Sequence, residues 1–206
     1  MSRRAVRISD RGGLGELLAS PALARLVLHF ALHGDEPEHV RALQRHSGLS
    51  MSSLNRELRR LEQRGLVERL QEGGRVLYRA VASHSGWKAL RQVIREFADP
   101  AEVVEEAIAR VDGIEVAFVF GSFARGDARE DSDVDVLVLG DDATASQLGR
   151  HAAEASVLLG RPVEIRSYTR EKLQRQMAAG NAVLRRILAG PKRWIVGDDA
   201  LLGAAV

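Results

Sequence analysis

The chain has 206 residues, enough for two small domains, and it contains no cysteine, which excludes disulfides, thiolate zinc sites and a cysteine nucleophile. Residues 1–100 carry 17 Lys and Arg against 11 Asp and Glu, whereas residues 101–206 carry 13 against 17. A basic first half favours a polyanionic partner, and an acidic second half suits a metal site. No apolar run approaches the roughly 20 residues of a membrane span. We therefore expect a cytoplasmic protein that does not contact a membrane.

The first predicted elements are two helices. Ser20-Pro21 is typical of a helix start, because a hydroxyl caps the free backbone N–H groups and proline suits the first helical position. Apolar residues then recur at helical spacing until Gly34, which ends the helix. A shorter amphipathic helix is expected over Val40–His46.

A third helix and a hairpin follow. Ser50 is the expected cap of the helix, and Leu54, Leu58 and Leu61 form its apolar stripe. Two alternating segments, Leu66–Leu70 and Val76–Ala80, flank Glu72-Gly73-Gly74, which predicts a two-stranded hairpin.

This order of elements resembles a winged helix-turn-helix of the ArsR and MarR type over about residues 18–82. The resemblance implies that double-stranded DNA is the polyanionic partner, with a recognition helix over about Ser52–Arg64 and a wing tip at Arg75. The alternative is a winged helix that makes only protein contacts, but the basic excess and the Gly-Gly-Arg wing favour DNA. The expected DNA-binding residues are Ser52, Ser53, Asn55, Arg56, Arg59 and Arg75.

A helix is next predicted over about residues 86–98, with one apolar stripe formed by Trp87, Leu90, Ile94 and Phe97. We expect it to lie between domains or to form a homodimer. Asp99-Pro100 breaks this helix, since proline disfavours helical backbone in the residue before it. The predicted organisation is a DNA-binding domain over 1–82, a connecting helix over 83–100 and a second domain over 101–206.

The second domain opens with a helix over Ala101–Val111 and a buried strand over Ile114–Phe120. Gly121 ends that strand and permits close approach of an anion to the backbone, and Ser122 adds a hydroxyl donor. A second strand is predicted over Asp133–Leu139. Because strand side chains alternate, Asp133 and Asp135 share one face and lie roughly 6–7 Å apart. A divalent cation such as Mg²⁺ would relieve their repulsion and prefers carboxylate and phosphate oxygens.

The segment Gly121–Asp135 consists of the sequence GSFARG, a spacer of five residues and the sequence SDVD. It resembles the signature of DNA polymerase beta-like nucleotidyltransferases, and most closely their minimal prokaryotic members. The resemblance implies a mixed-sheet domain that uses an NTP with Mg²⁺ or Mn²⁺. It places the metal on Asp133 and Asp135. Nucleotide phosphates would lie at Gly121 and Ser122, with Arg125 supporting the loop.

A third carboxylate is expected on the strand Pro162–Arg166. Val163 and Ile165 are expected on its core face, with Glu164 and Arg166 on the other. The resemblance implies that Glu164 completes the metal site and helps remove the proton of the acceptor hydroxyl. The family more often has aspartate there, and Arg166 lies on the same face and could neutralise Glu164. Nucleotide and metal binding are expected, whereas turnover depends on Glu164.

One further pair has metal-ligand spacing. His29 and His33 lie one helical turn apart, but no third ligand is near them in the sequence, so a structural role is expected.

The sequence thus predicts an α+β protein with an N-terminal winged helix-turn-helix and a C-terminal mixed-sheet nucleotidyltransferase domain. One hypothesis is a DNA-binding enzyme that transfers NMP to a hydroxyl of a partner protein or a small molecule. The other is a transcriptional regulator whose second domain only senses a nucleotide. Both include DNA binding and a homodimer.

Overall fold

The computed structural model describes residues 13–129 and 131–206. They form two compact units, of which the first ends at Asp99 and the second begins at Pro100. Residues 1–12, where the predicted first domain starts, lie outside the described residues. Within the described residues, no helix combines the length and the apolar character needed to cross a membrane.

The first unit is built from helices and a small antiparallel sheet in which β3 lies between β1 and β2. The predicted helices and hairpin are all present. Sequence reasoning missed the short helix α1 and the two-residue strand β1. In chain order the elements are α1 (Leu14–Leu17), α2 (Pro21–His33), β1 (Glu38–His39), α3 (Val40–Ser47), α4 (Met51–Gln63), β2 (Val67–Glu72), β3 (Arg75–Ala80) and α5 (Ser85–Phe97).

The predicted caps begin and end these helices as expected. The hydroxyl of Ser20 accepts a hydrogen bond from the Leu23 backbone N–H at 3.1 Å, and that of Ser50 accepts one from the Ser53 N–H at 3.2 Å. Each cap satisfies a backbone donor that has no partner inside its helix. Gly34 caps the C-terminal end of α2.

The wing is a two-residue hairpin. Gly73 and Gly74 connect β2 to β3 with φ values of 54° and 75°, which are left-handed conformations that glycine adopts without strain. Two successive positive φ values match the twist of the flanking strands. Arg75 consequently lies at the tip of the wing, paired in register with Glu72.

The apolar stripe of α4 is buried as predicted, with Leu54 and Leu58 fully inaccessible to solvent. Trp87 of α5 is also buried, and its indole N–H donates to the Leu66 carbonyl oxygen at 2.9 Å. Phe97, at the end of the same helix, is 53% exposed. The role of α5 in joining domains or chains stays a prediction.

The second unit contains the predicted mixed sheet, in the order β6-β5-β4-β7. β5 and β6 run parallel, and the other neighbours are antiparallel. The elements are α6 (Pro100–Ile108), β4 (Val116–Phe120), α7 (Gly121–Arg125), β5 (Val134–Leu139), α8 (Asp142–Leu159), β6 (Val163–Tyr168), α9 (Arg170–Ala178), α10 (Ala182–Ala189), β7 (Arg193–Val196) and α11 (Asp199–Gly203).

One face of this sheet packs against the C-terminal helices. Phe118 and Leu137 form a buried cluster with Leu173 of α9 and Leu184 of α10. Because side chains alternate along β5, Asp135 lies on the same face as Leu137, at the end of the strand. Two predictions shift slightly here: the turn after β4 is the short helix α7, and Asp133 immediately precedes β5 rather than opening it.

Candidate functional site

Strand register brings the predicted site residues to one end of the sheet. Phe120, the last residue of β4, pairs with Asp135 of β5, and Asp135 pairs with Glu164 of β6. Neighbouring strands lie about 4.8 Å apart, so these positions are adjacent across the sheet. Gly121 follows Phe120 directly, and Asp133 lies two residues before Asp135.

Gly121 packs its backbone against the Asp135 carboxylate. It has a φ of 73° as the first residue of α7, and a Cβ added there would overlap Oδ2 of Asp135. Two independent constraints therefore require glycine: the left-handed backbone and the space that the carboxylate occupies. The sequence predicted that an anion approaches the Gly121 backbone closely. In the structure, the carboxylate of Asp135 lies next to that backbone.

The loop between α7 and β5 is held by hydrogen bonds. The Arg129 backbone N–H donates to the Ser132 hydroxyl at 2.8 Å, and Nε of Arg125 lies 3.1 Å from Oδ2 of Asp127. Arg125 thus bonds within the loop, and its role beside a nucleotide stays a prediction. The hydroxyl of Ser132, the first residue of the SDVD motif, thus accepts a hydrogen bond within the same loop.

Arg161 is a residue of this site that sequence reasoning missed. Its Nη1 donates to the carbonyl oxygens of Arg129 at 3.3 Å and Ser132 at 3.4 Å. Its guanidinium also lies 5.3 Å from the ring centroid of Phe123 in α7. One side chain therefore joins both ends of the loop that precedes Asp133. No sequence motif marks it, because its partners are mainly backbone carbonyls.

The carboxyl of Asp135 is half-buried, and nearby positive charge compensates it only in part. Burial raises its pKa above the ordinary value, and the negative charges of Glu164 and Asp133 raise it further. Arg166 and Arg125 oppose this increase. A group whose charged form is disfavoured in this way would gain from a cation.

Glu164 is exposed and has a partner within the chain. Nη2 of Arg166 lies 3.7 Å from its Oε2, so the predicted pairing between these two residues is confirmed. Val163 is buried and Ile165 half-buried on the other face of β6, as expected.

The carboxylates suit a hard divalent cation by their chemistry, since Mg²⁺ takes oxygen ligands and keeps several waters or substrate oxygens. Register places Asp135 beside Glu164, with Asp133 just before the strand. Within residues 13–129 and 131–206, however, no three Asp, Glu, His or Cys side chains are gathered closely enough to hold a metal ion. The metal roles of Asp133, Asp135 and Glu164 stay predictions.

The six predicted DNA-binding residues lie on α4 and at the wing tip. Arg56, Arg59 and Arg75 are exposed. Ser52 and Ser53 contribute to the N-terminal cap of α4, with their hydroxyls 3.0 and 3.1 Å from that of Ser50. Ser52 is exposed, whereas Ser53 and Asn55 are half-buried. The surface thus presents arginines, and its serines also stabilise the start of the helix.

A buried glutamate, also missed by sequence reasoning, contacts arginines of α4. Glu57 is 3% exposed, and its Oε1 accepts hydrogen bonds from the Ser20 hydroxyl at 3.2 Å and from Nε of Arg56 at 3.0 Å. Its Oε2 lies 3.6 Å from Nη1 of Arg60. Glu57 therefore ties α4 to the start of α2 and orients Arg56.

The histidines form a network that spacing alone did not reveal. Nε2 of His29 lies 2.9 Å from one carboxylate oxygen of Glu38, and Nδ1 of His46 lies 2.7 Å from the other. His33 contacts the ring of His29 edge-on. The sequence placed no third polar group near His29, because β1 and α3 bring Glu38 and His46 back to α2 only in the fold.

Two family models match the chain. Residues 101–189 match the model described as "Nucleotidyltransferase domain", and residues 28–83 match the model described as "Sugar-specific transcriptional regulator TrmB". No curated protein matches the chain. The two matches fall in the two compact units and confirm both resemblances drawn from the sequence, as well as the α+β fold class.

Proposed function

We propose that this chain, which joins a TrmB-type winged-helix regulator domain to a nucleotidyltransferase domain, binds double-stranded DNA and transfers NMP from an NTP to a hydroxyl of a protein or a small molecule. One observation supports the proposed NMP transfer. Strand register sets Asp135 beside Glu164, with Gly121 packed on the Asp135 carboxylate and Asp133 two residues away. This placement of carboxylates at one end of the sheet supports metal-dependent phosphoryl transfer, in which carboxylates hold the cation beside the phosphates.

Each residue of the site has a proposed role in cation binding, phosphate binding or proton transfer. Asp133 and Asp135, with Glu164, would hold Mg²⁺ or Mn²⁺, which supplies charge neutralisation of the phosphates and of the leaving oxygen. Gly121 and Ser122 would bind the β- and γ-phosphates, while Arg125 supports the loop. Glu164 would accept the proton of the acceptor hydroxyl as its oxygen attacks the α-phosphorus. The bond between the α-phosphorus and the bridging oxygen breaks, and pyrophosphate leaves.

DNA binding is assigned to α4 and the wing. Arg56, Arg59 and Arg75 are exposed cations, Ser52 is an exposed polar residue, and Ser53 and Asn55 are half-buried. Phosphate contacts by arginine would provide most of the affinity, and base contacts from α4 the sequence preference. A homodimer would present two such surfaces to the two halves of a symmetric operator.

The test is incubation of the purified protein with Mg²⁺ or Mn²⁺ and each α-labelled NTP, alone and with cell lysate. We expect label on a macromolecule or small molecule, and its loss in the Asp133→Ala/Asp135→Ala variant. No transfer with any NTP, while nucleotide binding persists by calorimetry, would exclude the transferase.

A second function, nucleotide sensing by an inactive domain, is favoured by the ion pair between Glu164 and Arg166. If Glu164 is neutralised by Arg166, it is a poor base, and Mg–NTP would act only as a ligand that shifts the two winged helices of a dimer. Glu164→Ala separates the two functions. An enzyme loses turnover and keeps nucleotide binding, whereas a sensor keeps its nucleotide-dependent DNA affinity.

A further inference from the structure

Arg166 lies on the same sheet face as the carboxylates of the candidate site. On β6, Glu164 and Arg166 are two residues apart and therefore point to one side. Register pairs Glu164 with Asp135 and Arg166 with Leu137 of β5, and Leu137 follows Asp135 on that face. The guanidinium thus belongs to the group of charges at this end of the sheet.

Arg166 acts on two carboxylates at once. Its Nη2 lies 3.7 Å from Oε2 of Glu164. Asp135 is the register partner of Glu164 on the neighbouring strand and lies on the same face, so the guanidinium is also near this second carboxylate. One positive charge therefore compensates the two carboxylates that a divalent cation would compensate.

The contact is also weak enough to be broken. Arg166 and Glu164 have side chains 46% and 57% exposed, and 3.7 Å is longer than a hydrogen bond. Solvent-exposed pairs of this kind contribute little to stability, so a cation with two or more charges can displace the guanidinium.

We propose that Arg166 is a built-in counter-ion of the carboxylates, which competes with the divalent cation for Glu164 and Asp135. The inference rests on the proposed function of this site and adds its regulation. The cation alone binds weakly, because it must displace a positive charge. A nucleotide bound with the cation offers Arg166 new partners, since guanidinium groups pair well with phosphate oxygens. Cation and nucleotide consequently promote each other's binding, by the same factor in either direction.

The experiment measures Mn²⁺ binding to the full chain by the electron paramagnetic resonance signal of free Mn²⁺. The variants are Arg166→Gln, which removes the charge, and Arg166→Lys, which keeps it. Arg186→Gln is the matched control, because it removes the same charge from an exposed position of α10. Each protein is titrated alone and with α,β-methylene analogues of the four ribonucleoside triphosphates, one at a time. Circular dichroism checks that each variant is folded.

Without nucleotide, we expect Arg166→Gln to bind Mn²⁺ about threefold to fivefold more tightly than the parent protein, because a repelling charge next to the carboxylates is gone. Arg166→Lys should lie close to the parent, and Arg186→Gln should match it. The gain in Mn²⁺ affinity that a nucleotide analogue produces should be smaller in Arg166→Gln than in the parent.

Other outcomes separate this inference from the proposed function. If the parent binds Mn²⁺ with a nucleotide analogue but Arg166→Gln binds Mn²⁺ no more tightly than the parent, Arg166 is not a competing counter-ion and the proposed function stands. An equal gain in Arg186→Gln would assign the effect to net charge and overturn the inference. If no variant binds Mn²⁺ with or without nucleotide, both the inference and the proposed metal site are wrong.

Discussion

At the scale of single residues, the candidate site depends on very short distances. Gly121 lies so close to Asp135 that an added Cβ would force the carboxylate to shift, and Glu57 accepts hydrogen bonds from groups on two helices while almost completely buried. In both cases a carboxylate of the chain sets the geometry of a neighbouring backbone or side chain. Even a small change of side chain at Gly121 or Glu57 should therefore lower the free energy of unfolding.

The first prediction concerns Gly121→Ala. The new Cβ overlaps Oδ2 of Asp135, and alanine at a φ of 73° is strained, so we expect a loss of about 1–3 kcal/mol in the free energy of unfolding. Gly126→Ala is the matched control: Gly126 has a φ of 80°, but a Cβ there meets no atom within 4 Å. Urea unfolding of both variants measures the difference. Equal losses would mean that the Asp135 contact is unimportant for stability.

At the scale of elements, the start of α8 and the loop before β5 depend on two different kinds of contact. Asp141 caps the N-terminus of α8: its Oδ1 accepts a hydrogen bond from the Thr144 backbone N–H at 2.7 Å and one from the Thr144 hydroxyl at 2.8 Å. The loop between α7 and β5 instead depends on Arg161, which lies 32 residues from Arg129 in sequence. A cap acts locally, whereas the loop needs a distant residue.

The cap of α8 predicts a pH dependence. The backbone hydrogen bond from Thr144, followed by that of its hydroxyl, lowers the pKa of Asp141, so the folded state favours the ionised carboxyl. Its stabilisation is present above the unfolded pKa of about 3.9 and disappears as the pH falls through the lowered folded value. We expect Asp141→Ala to be less stable than the parent at pH 7, with the gap closing below about pH 4.

Urea unfolding of both proteins from pH 7 down to pH 3 measures this gap. Asp142→Ala is the control, because it removes the same charge from the next residue and leaves the cap intact. A gap that stays constant with pH in Asp141→Ala would contradict the assignment.

For the loop, we expect Arg161→Met to increase amide hydrogen exchange across residues 126–133 by about tenfold or more. The reason is that two backbone carbonyls lose their side-chain donor and the loop opens more often. The free energy of unfolding should change by less than about 1 kcal/mol, because these contacts are largely exposed. Arg186→Met, an exposed arginine on α10, is the control. Unchanged exchange in the loop would show that Arg161 does not hold it.

At the scale of the whole molecule, the two halves of the chain differ in the sign of their net charge. The net charge of +2 combines a basic first half with an acidic second half, and the two compact units follow nearly the same division. A protein with this distribution can attract a polyanion to one unit and a cation to the other. The two proposed activities therefore require opposite local charge in one chain.

The charge of the first unit predicts how DNA affinity depends on salt. We expect Arg75→Ala to weaken binding to all DNA sequences and to reduce the slope of log K against log salt by about one, because the proposed role of the wing tip is a phosphate contact. Arg91→Ala, an exposed arginine on α5 of the same unit, should leave the slope unchanged. Fluorescence anisotropy over a range of salt concentrations measures both. Equal slopes in Arg75→Ala and the parent would remove the wing from the DNA surface.

Local patterns in the amino-acid sequence determined most of the elements of this protein. The caps at Ser20 and Ser50, the leucine stripe of α4 and the Gly73-Gly74 turn are recognisable because their residues lie within a few positions of each other. The motif from Gly121 to Asp135 is longer, but its residues form one continuous segment of the chain. The family-model matches confirmed the two domains that these patterns predict.

Only the tertiary structure decided which distant residues meet. Ser20 and Glu57 lie 37 residues apart, Arg161 and Arg129 lie 32 apart, and β5 pairs with β6 across the whole of α8. No local spacing encodes such contacts, because they arise when buried faces of separate elements pack together and set the strand register. That register is also what places Arg166 beside the carboxylates.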